Sequence, residues 1–389
     1  YVMELVFFGI GTIAEKTLKK INSKPNLIVD NNPGTWGQKF AGVEVQSPDV
    51  LKGKENFQIV ICTTSYKDVI NQLSDYGISN FQVSPVLKNV VEIDRIEDVT
   101  IDLLFVSGLP STERKLSGGG VFRVSGSFSS YAVDKIEAGN CHGITINKSN
   151  SDEIFVTDTS RGLLVLNRNN LSIERVVNYD LSLRPHGIYV KSSSEIYLAC
   201  SYEDAIYQID QDGNNIAKFS IANSNDNQNA DMAQHHINDM ALYEENLYAS
   251  MFSATGSWQH GFLDGAIKKI NLKTGHVSTI YNDLQMPHNI QVDHTGMKFC
   301  NSLTGELCIN NRQVVFKGNG FVRGLYESGD YFIVGESKNR NFASIKSPIL
   351  NNCLDTRLNF VDKATLAYKS IQLPVEISEI HAILDLKDV

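Results

Sequence analysis

Nine histidines occur in the chain, and several stand at a repeated place. The clearest phrase is Arg184-Pro185-His186-Gly187-Ile188. Cys141-His142-Gly143-Ile144 precedes it, and His235-His236-Ile237-Asn238-Asp239 and Pro287-His288-Asn289-Ile290 follow. Val322-Arg323-Gly324-Leu325 and Glu379-Ile380-His381-Ala382-Ile383 are weaker echoes. Neutral imidazoles gathered from separate segments suit Zn, Mn or Fe, with a carboxylate such as Asp239 or Glu379 completing the set. The candidate metal ligands are His142, His186, His236 and His288. A metal there would polarise a carbonyl or activate a water. The candidate catalytic residues are His186, His288, Arg323 and Glu379, with histidine as ligand or general base and Arg323 holding a carboxylate or phosphate. The competing reading is structural: each such histidine hydrogen-bonds a neighbouring repeat and seals the space between repeats.

The elements that must position these residues are short strands. Each phrase opens an apolar segment and is followed by further strand-like runs, as in Glu153-Ile154-Phe155-Val156-Thr157 and then Gly162-Leu163-Leu164-Val165-Leu166. Gly, Asn, Asp and Ser turns separate them, and helical periodicity is missing from residue 101 onward. Recurrence of one four-strand phrase identifies a propeller blade. Six phrases predict six blades over residues 101–389. The last phrase has only its inner strand before the chain ends, so strands around 102–106 and 120–124 are expected to complete that blade and close the ring. Closure leaves no exposed inner edge. The histidines then sit where inner strands begin, facing one mouth of a central channel. Residues 253–260, with Trp258, are expected to overhang that mouth, and the polar stretch 223–234 reads as a lid or loop.

Residues 1–85 differ. An apolar strand at 4–8 runs into Gly9-Ile10-Gly11-Thr12-Ile13-Ala14, followed by a helix, and a second strand at 27–29 ends in Asp30. This is the G-x-G-x-x-A form of a dinucleotide loop, in which glycines permit the turn and close approach of a phosphate, and the acidic residue meets a ribose. The nucleotide-site candidates are Gly9, Gly11, Thr12 and Asp30; a glycine turn that merely packs helix on sheet is the alternative. The expected architecture is therefore multidomain, α/β plus all-β: a small Rossmann-like parallel-sheet domain (1–85), a linker (86–100), and a six-bladed β-propeller (101–389).

The stretch Val29-Asp30-Asn31-Asn32-Pro33, with Trp36-Gly37, Gly42-Val43-Glu44-Val45 and Ser47-Pro48, resembles the small Rossmann-like domain attached to sugar-modifying enzymes of bacterial surface-glycan pathways, including sugar acetyltransferases of the bacillosamine type. That resemblance implies a site for a nucleotide or nucleotide-linked sugar. The repeated phrase resembles six-bladed NHL and gluconolactonase-like propellers. A gluconolactonase-type calcium site would want Glu, Asn and Asp on the axis, so histidine and arginine there argue against lactone hydrolysis.

Composition narrows the partners. A formal charge of -9 and a pI near 5.5 argue against nucleic acid or an anionic membrane. No apolar run is long enough to span a membrane, and the first residues lack a basic, signal-like region, so a cytoplasmic protein is expected. The six cysteines are scattered with no CxxC pair, which fits reduced, buried side chains. The functional expectation is an enzyme of bacterial nucleotide-sugar or surface-glycan metabolism, a lyase, hydrolase or epimerase working at the channel mouth, possible metal assistance included. The alternative is a non-catalytic propeller that binds or senses a ligand, with a nucleotide-binding domain attached.

Overall fold

The computed structural model describes residues 3–221, 235–261, 263–340 and 351–388. The chain divides into two compact units, Tyr1–Asp98 and Val99–Val389.

The first unit is built on one six-stranded mixed sheet. Its strands are β1 (Glu4–Phe8), β2 (Leu27–Val29), β3 (Lys39–Phe40), β4 (Val43–Gln46), β5 (Phe57–Ile61) and β6 (Phe81–Val83), in the spatial order β3-β4-β2-β1-β5-β6. Strands β4, β2, β1, β5 and β6 run parallel, and β3 turns back antiparallel on β4. An all-parallel Rossmann-like sheet was the sequence expectation; the hairpin through Ala41 (φ 49°) and Gly42 (φ 86°) makes it mixed. Helices α1 (Thr12–Ile21), α2 (Tyr66–Asp75) and α3 (Lys88–Glu97) accompany the sheet. Helix α3 occupies the stretch expected to be a linker. Its charged residues solvate one face while Ile96 is buried, so a mixed charged composition concealed an amphipathic turn pattern.

The second unit is a six-bladed β-propeller of four-stranded antiparallel sheets. The inner strands of blades I to V are Cys141–Asn147, Pro185–Ser192, Ile237–Tyr243, Pro287–Asp293 and Phe321–Ser328. Blade VI takes its inner strand, Ala382–Asp385, from the end of the unit and its three outer strands, Thr100–Ser107, Gly120–Ser127 and Ser130–Ala138, from the start. The register Ala382↔Val106 through Asp385↔Leu103 closes the ring.

Apolar side chains explain the stacking. Residues alternate between the two faces of a strand, and here both faces meet a neighbouring blade. In blade I, Phe155 joins the cluster shared with blade II, while Ile154 and Val156 join the one shared with blade VI. Hence the middle strands are nearly continuous apolar runs rather than alternating ones. One such buried cluster fills each of the six junctions. Cys141, Cys200, Cys300 and Cys308 are buried in these layers as free thiols, Cys62 is buried in the core of the first unit, and Cys353 is half-buried.

The recurring His-Gly phrase has a backbone consequence. In blades I to V the pairing between inner and second strand slips just after the phrase begins, between Cys141 and Ile144, Pro185 and Ile188, Ile237 and Asp239, His288 and Gln291, and Val322 and Leu325. Such a bulge bends a strand and re-aims its side chains. The glycines allow the next blade to come close. A Cβ on Gly143 would fall 2.5 Å from the His186 carbonyl oxygen, and one on Gly187 would strike the Asp239 carboxylate.

Candidate functional site

Five of the nine histidines line one channel of about 690 Å³ along the propeller axis: His142, His186, His236 and His288 beside the bulges, and His381 ahead of the inner strand of blade VI. Asp239, Arg323, Arg340 and Glu379 also reach it. The expected catalytic residues His186, His288, Arg323 and Glu379 therefore lie on one wall system. His235 faces away from the channel, with Nδ1 on the Ser253 carbonyl at 2.9 Å.

The imidazoles run around the wall in contact. His142 and His186 stack face to face at 4.4 Å with planes 3° apart. His381 meets His142 edge-on at 4.5 Å, and His236 meets His186 at 5.6 Å. Phe252 lies between His236 (4.4 Å) and His288 (5.1 Å), and Phe321 follows His288 at 5.4 Å. Trp258, expected over the mouth, packs on His236 at 4.6 Å and so backs the wall. Burial lowers the pKa of every one of these histidines: well below the ordinary value for His142, His186 and His288, to about 4 for His236 and to about 3 for His381, where Arg323 adds to the effect. They are neutral at physiological pH.

The expected metal ligands His142, His186, His236 and His288 all lie on the channel wall. Among the described residues no group of three or more His, Cys, Asp or Glu is arranged to hold a metal ion. Hydrogen bonds claim nitrogens on two of the four rings. His142 uses Nδ1 toward His381 Nδ1 at 3.2 Å and Nε2 toward the Asn140 side chain at 3.1 Å. His288 directs Nδ1 to the Met286 carbonyl (2.9 Å) and the Ser302 hydroxyl (2.8 Å), which makes it the Nδ1–H tautomer with its Nε2 lone pair left over. The ring wall thus mixes nitrogens tied to protein partners, on His142 and at His288 Nδ1, with nitrogens that have none among the described residues, such as His236 Nδ1.

Two carboxylates complete the channel. Glu379 is tied down on all sides: Arg340 Nη1 lies at 2.6 Å, His381 Nε2 at 3.0 Å and Arg323 Nη2 at 3.6 Å. Burial pushes its pKa up, but the hydrogen bond from His381 and the charges of Arg323 and Arg340 win and hold it ionised. It is therefore a positioning group rather than a proton-transfer group. Asp239, on the inner strand of blade III, has no cationic partner among the described residues; its carboxylate accepts from the Ile290 N–H at 3.0 Å. Burial raises its pKa to about 7, against the backbone N–H groups of Met240 and Ile290. Arg323 is buried, with Nε donating to the Ile380 carbonyl at 3.0 Å and its guanidinium 5.5 Å from the Phe321 ring; burial lowers its pKa to about 10, still charged at neutrality. Arg340 is exposed; the lining as a whole holds Lys148, Arg323, Lys338 and Arg340 against Asp239, Asp293, Glu327 and Glu379, and the cations nearest Glu379, Arg323 and Arg340, make an anion-binding end of the channel.

Asp239 was noticed in the sequence only as a metal carboxylate, and Arg340, Lys338, Phe252 and Phe321 were missed. Superposing the repeated phrases by register would have exposed Asp239, since it stands where the other blades carry Gly143, Gly187, Asn289 and Gly324, with Met240 in the apolar place after the bulge. Arg340 lies outside any repeat and has no such signal. The stretch 223–234 lies outside the described residues.

In the first unit, Gly9 (φ 105°) needs to be glycine, because a Cβ would come 3.0 Å from the Cys62 carbonyl oxygen. Gly11 has an ordinary φ of -74° and, like Thr12, is exposed. Asp30 stands at the end of β2, but its Oδ2 accepts from the loop's own Ile10 N–H (3.2 Å) and its Oδ1 from Asn32 N–H (2.8 Å). The loop brings the four nucleotide-site candidates to one end of the sheet, with the acidic side chain bracing the loop.

A family model described as "Domain of unknown function (DUF4915)" matches residues 148–389. No curated protein matches the chain in sequence. Among solved structures, a protein of unknown function from Bacteroides caccae is similar over 73% of this chain and 98% of its own, at 11% identity and a TM-score of 0.48. The calcium-binding protein regucalcin from Agrobacterium tumefaciens covers 59% of this chain and 73% of its own, at 13% identity and a TM-score of 0.39. Catalytically inactive virginiamycin B lyase from Staphylococcus aureus, solved with quinupristin, covers 72% and 88%, at 12% identity and a TM-score of 0.40. No described helix is long and apolar enough to cross a membrane.

Proposed function

The chain belongs to the DUF4915 family, and we propose that it is an enzyme that moves a proton on a small anionic sugar derivative in the propeller channel. The observation that carries this reading is Asp239, a carboxyl group whose pKa is pushed up to about 7, in the same channel as the neutral His288. Acid–base catalysts work best with a pKa near the operating pH. His288 supplies an Nε2 lone pair, since its Nδ1 proton is occupied by Met286. Arg323 and Arg340 would hold the substrate carboxylate, and the imidazole and phenyl wall suits the face of a sugar ring.

The chemistry follows from those roles. His288 Nε2 takes the proton from the carbon beside the carboxylate, and the electron pair moves into the carboxylate, where the arginines stabilise the added negative charge. Protonated Asp239 then gives its proton either to a leaving oxygen on the next carbon, an elimination, or back to carbon, an epimerisation. Both are steps of lyase or epimerase type and need no bound metal. The amino-terminal unit would hold the nucleotide of a nucleotide-linked substrate at Gly9, Gly11 and Thr12. That part is checked separately by equilibrium dialysis with uridine diphosphate.

The direct test is proton exchange. The protein is incubated in D2O with hexuronates, aldonates and their glycosides, and the proton beside the carboxylate is followed by NMR. Loss of that signal, or appearance of an unsaturated product, with wild type but not with His288→Ala supports the reading. Binding without exchange or turnover overturns it in favour of a ligand-sensing propeller.

A further inference from the structure

His142 and His186 are stacked as equals, yet their nitrogens are not treated alike. Both His142 nitrogens are hydrogen-bonded, to His381 and Asn140. Neither ring nitrogen of His186 has a hydrogen-bond partner among the described residues. The proton count of the first ring can be followed from its far end. Glu379 is an ionised carboxylate, so the 3.0 Å contact to His381 requires the proton on His381 Nε2. A neutral His381 then has a bare Nδ1, which must accept. The 3.2 Å contact therefore requires a proton on His142 Nδ1. His142 Nε2 is left as an acceptor, and Asn140 must turn its NH2 toward it, the amide oxygen and nitrogen being interchangeable in shape.

Packing enforces this arrangement. A Cβ on Gly108 would lie 2.6 Å from both His142 Cε1 and His381 Nε2, so the pair occupies space that only a glycine leaves open. The charged or titratable groups facing the pair are Glu379, Arg323, Arg340 and the stacked His186.

We propose that Glu379, His381 and Asn140 are positioning residues that lock His142 as a fixed platform, and that His186, stacked on that platform with its nitrogens unclaimed, is a further proton-exchanging group of the channel beside His288 and Asp239. The proposal rests on the proton-transfer reading for the role of His186, while the lock on His142 stands on geometry alone. With His186 on blade II and His288 on blade IV, the channel holds a second base on a different blade beside the His288–Asp239 pair, an arrangement suited to taking the proton from the opposite epimer.

The test uses the full chain with 15N-labelled histidine. Long-range proton–nitrogen NMR should show pure Nε2–H shifts for His381, pure Nδ1–H shifts for His142 and tautomer-averaged shifts for His186. In His381→Phe, with folding confirmed by circular dichroism, His142 should become averaged; Asn140→Ala is the milder second variant and should leave His381 unchanged. Diethyl pyrocarbonate labelling mapped by mass spectrometry should modify His186 faster than His142 by roughly an order of magnitude, since His142 must first open a hydrogen bond. Averaged His142 shifts in wild type, or labelling of His142 as fast as His186, would overturn the proposal. A locked His142 and reactive His186 without exchange on any sugar acid would instead sink the proton-transfer reading and leave the lock intact.

Discussion

Two of the carboxylates lining one channel, Glu379 and Asp239, behave oppositely. Glu379 sits among Arg323, Arg340 and His381 and stays ionised. Asp239 sits against Gly187 and the Ile290 N–H with no cation paired to it among the described residues, and burial raises its pKa to about 7. Burial pushes both the same way; partners decide the outcome. The difference separates a group that organises its surroundings from one that can give and take a proton.

The largest effect should come from breaking the organised side. Glu379→Ala leaves Arg323 as a buried, unpaired charge, which costs about 3–5 kcal/mol in unfolding free energy. Urea denaturation reads this, and Glu379→Gln should behave similarly because the charge, not the volume, is lost. If Asp239→Asn proved as costly at neutral pH, the contrast between the two carboxylates would be wrong.

Next comes the packing around Asp239. Gly187→Ala places a methyl group against its carboxylate, and overpacking of this kind costs about 1–3 kcal/mol. Thermal unfolding checks it.

A pH series sharpens the comparison further. The raised pKa of Asp239 means the folded state holds a proton that the unfolded state has released between about pH 4 and about 7. Its contribution to stability therefore falls as pH rises through that window and is flat above it. The stability difference between wild type and Asp239→Asn should trace that fall. The channel histidines act with the opposite sign: His236, lowered to about 4, makes stability rise with pH from about 4 to about 6.5, the ordinary histidine value. His236→Gln should remove that part.

Arg340→Ala should do least. Its side chain is 65% exposed, and an ion pair of that kind contributes about 0–1 kcal/mol to stability. The affinity for a carboxylate ligand should fall far more than stability does, as calorimetric titration would show.

The propeller was legible because its signals are periodic. The phrase around His142, His186, His236 and His288 repeats, and the unmatched last inner strand forced a closing partner near 102–106, where Thr100–Ser107 stands. The first unit was less so. The antiparallel return of residues 39–40 depends on a left-handed Ala41 that no propensity indicates, and α3 hid in a charged stretch. At the site, residue types located the channel but not the use made of each side chain. Whether Asp239 or Glu379 holds a proton, and whether His142 or His186 is tied, depends on partners such as Arg340 and Asn140 that are remote or lie outside the repeated phrase. A histidine ring suggested a metal; only the direction of each nitrogen showed that, among the described residues, His142 and His288 bond to protein partners while His186 does not.

The most direct measurement is a carboxyl 13C NMR titration of the protein labelled at aspartate, with Asp239→Asn to assign the signal. An Asp239 midpoint near pH 7 is the result expected for the channel acid. A midpoint near pH 4, the ordinary carboxylate value, would leave the channel without its acid and contradict the account.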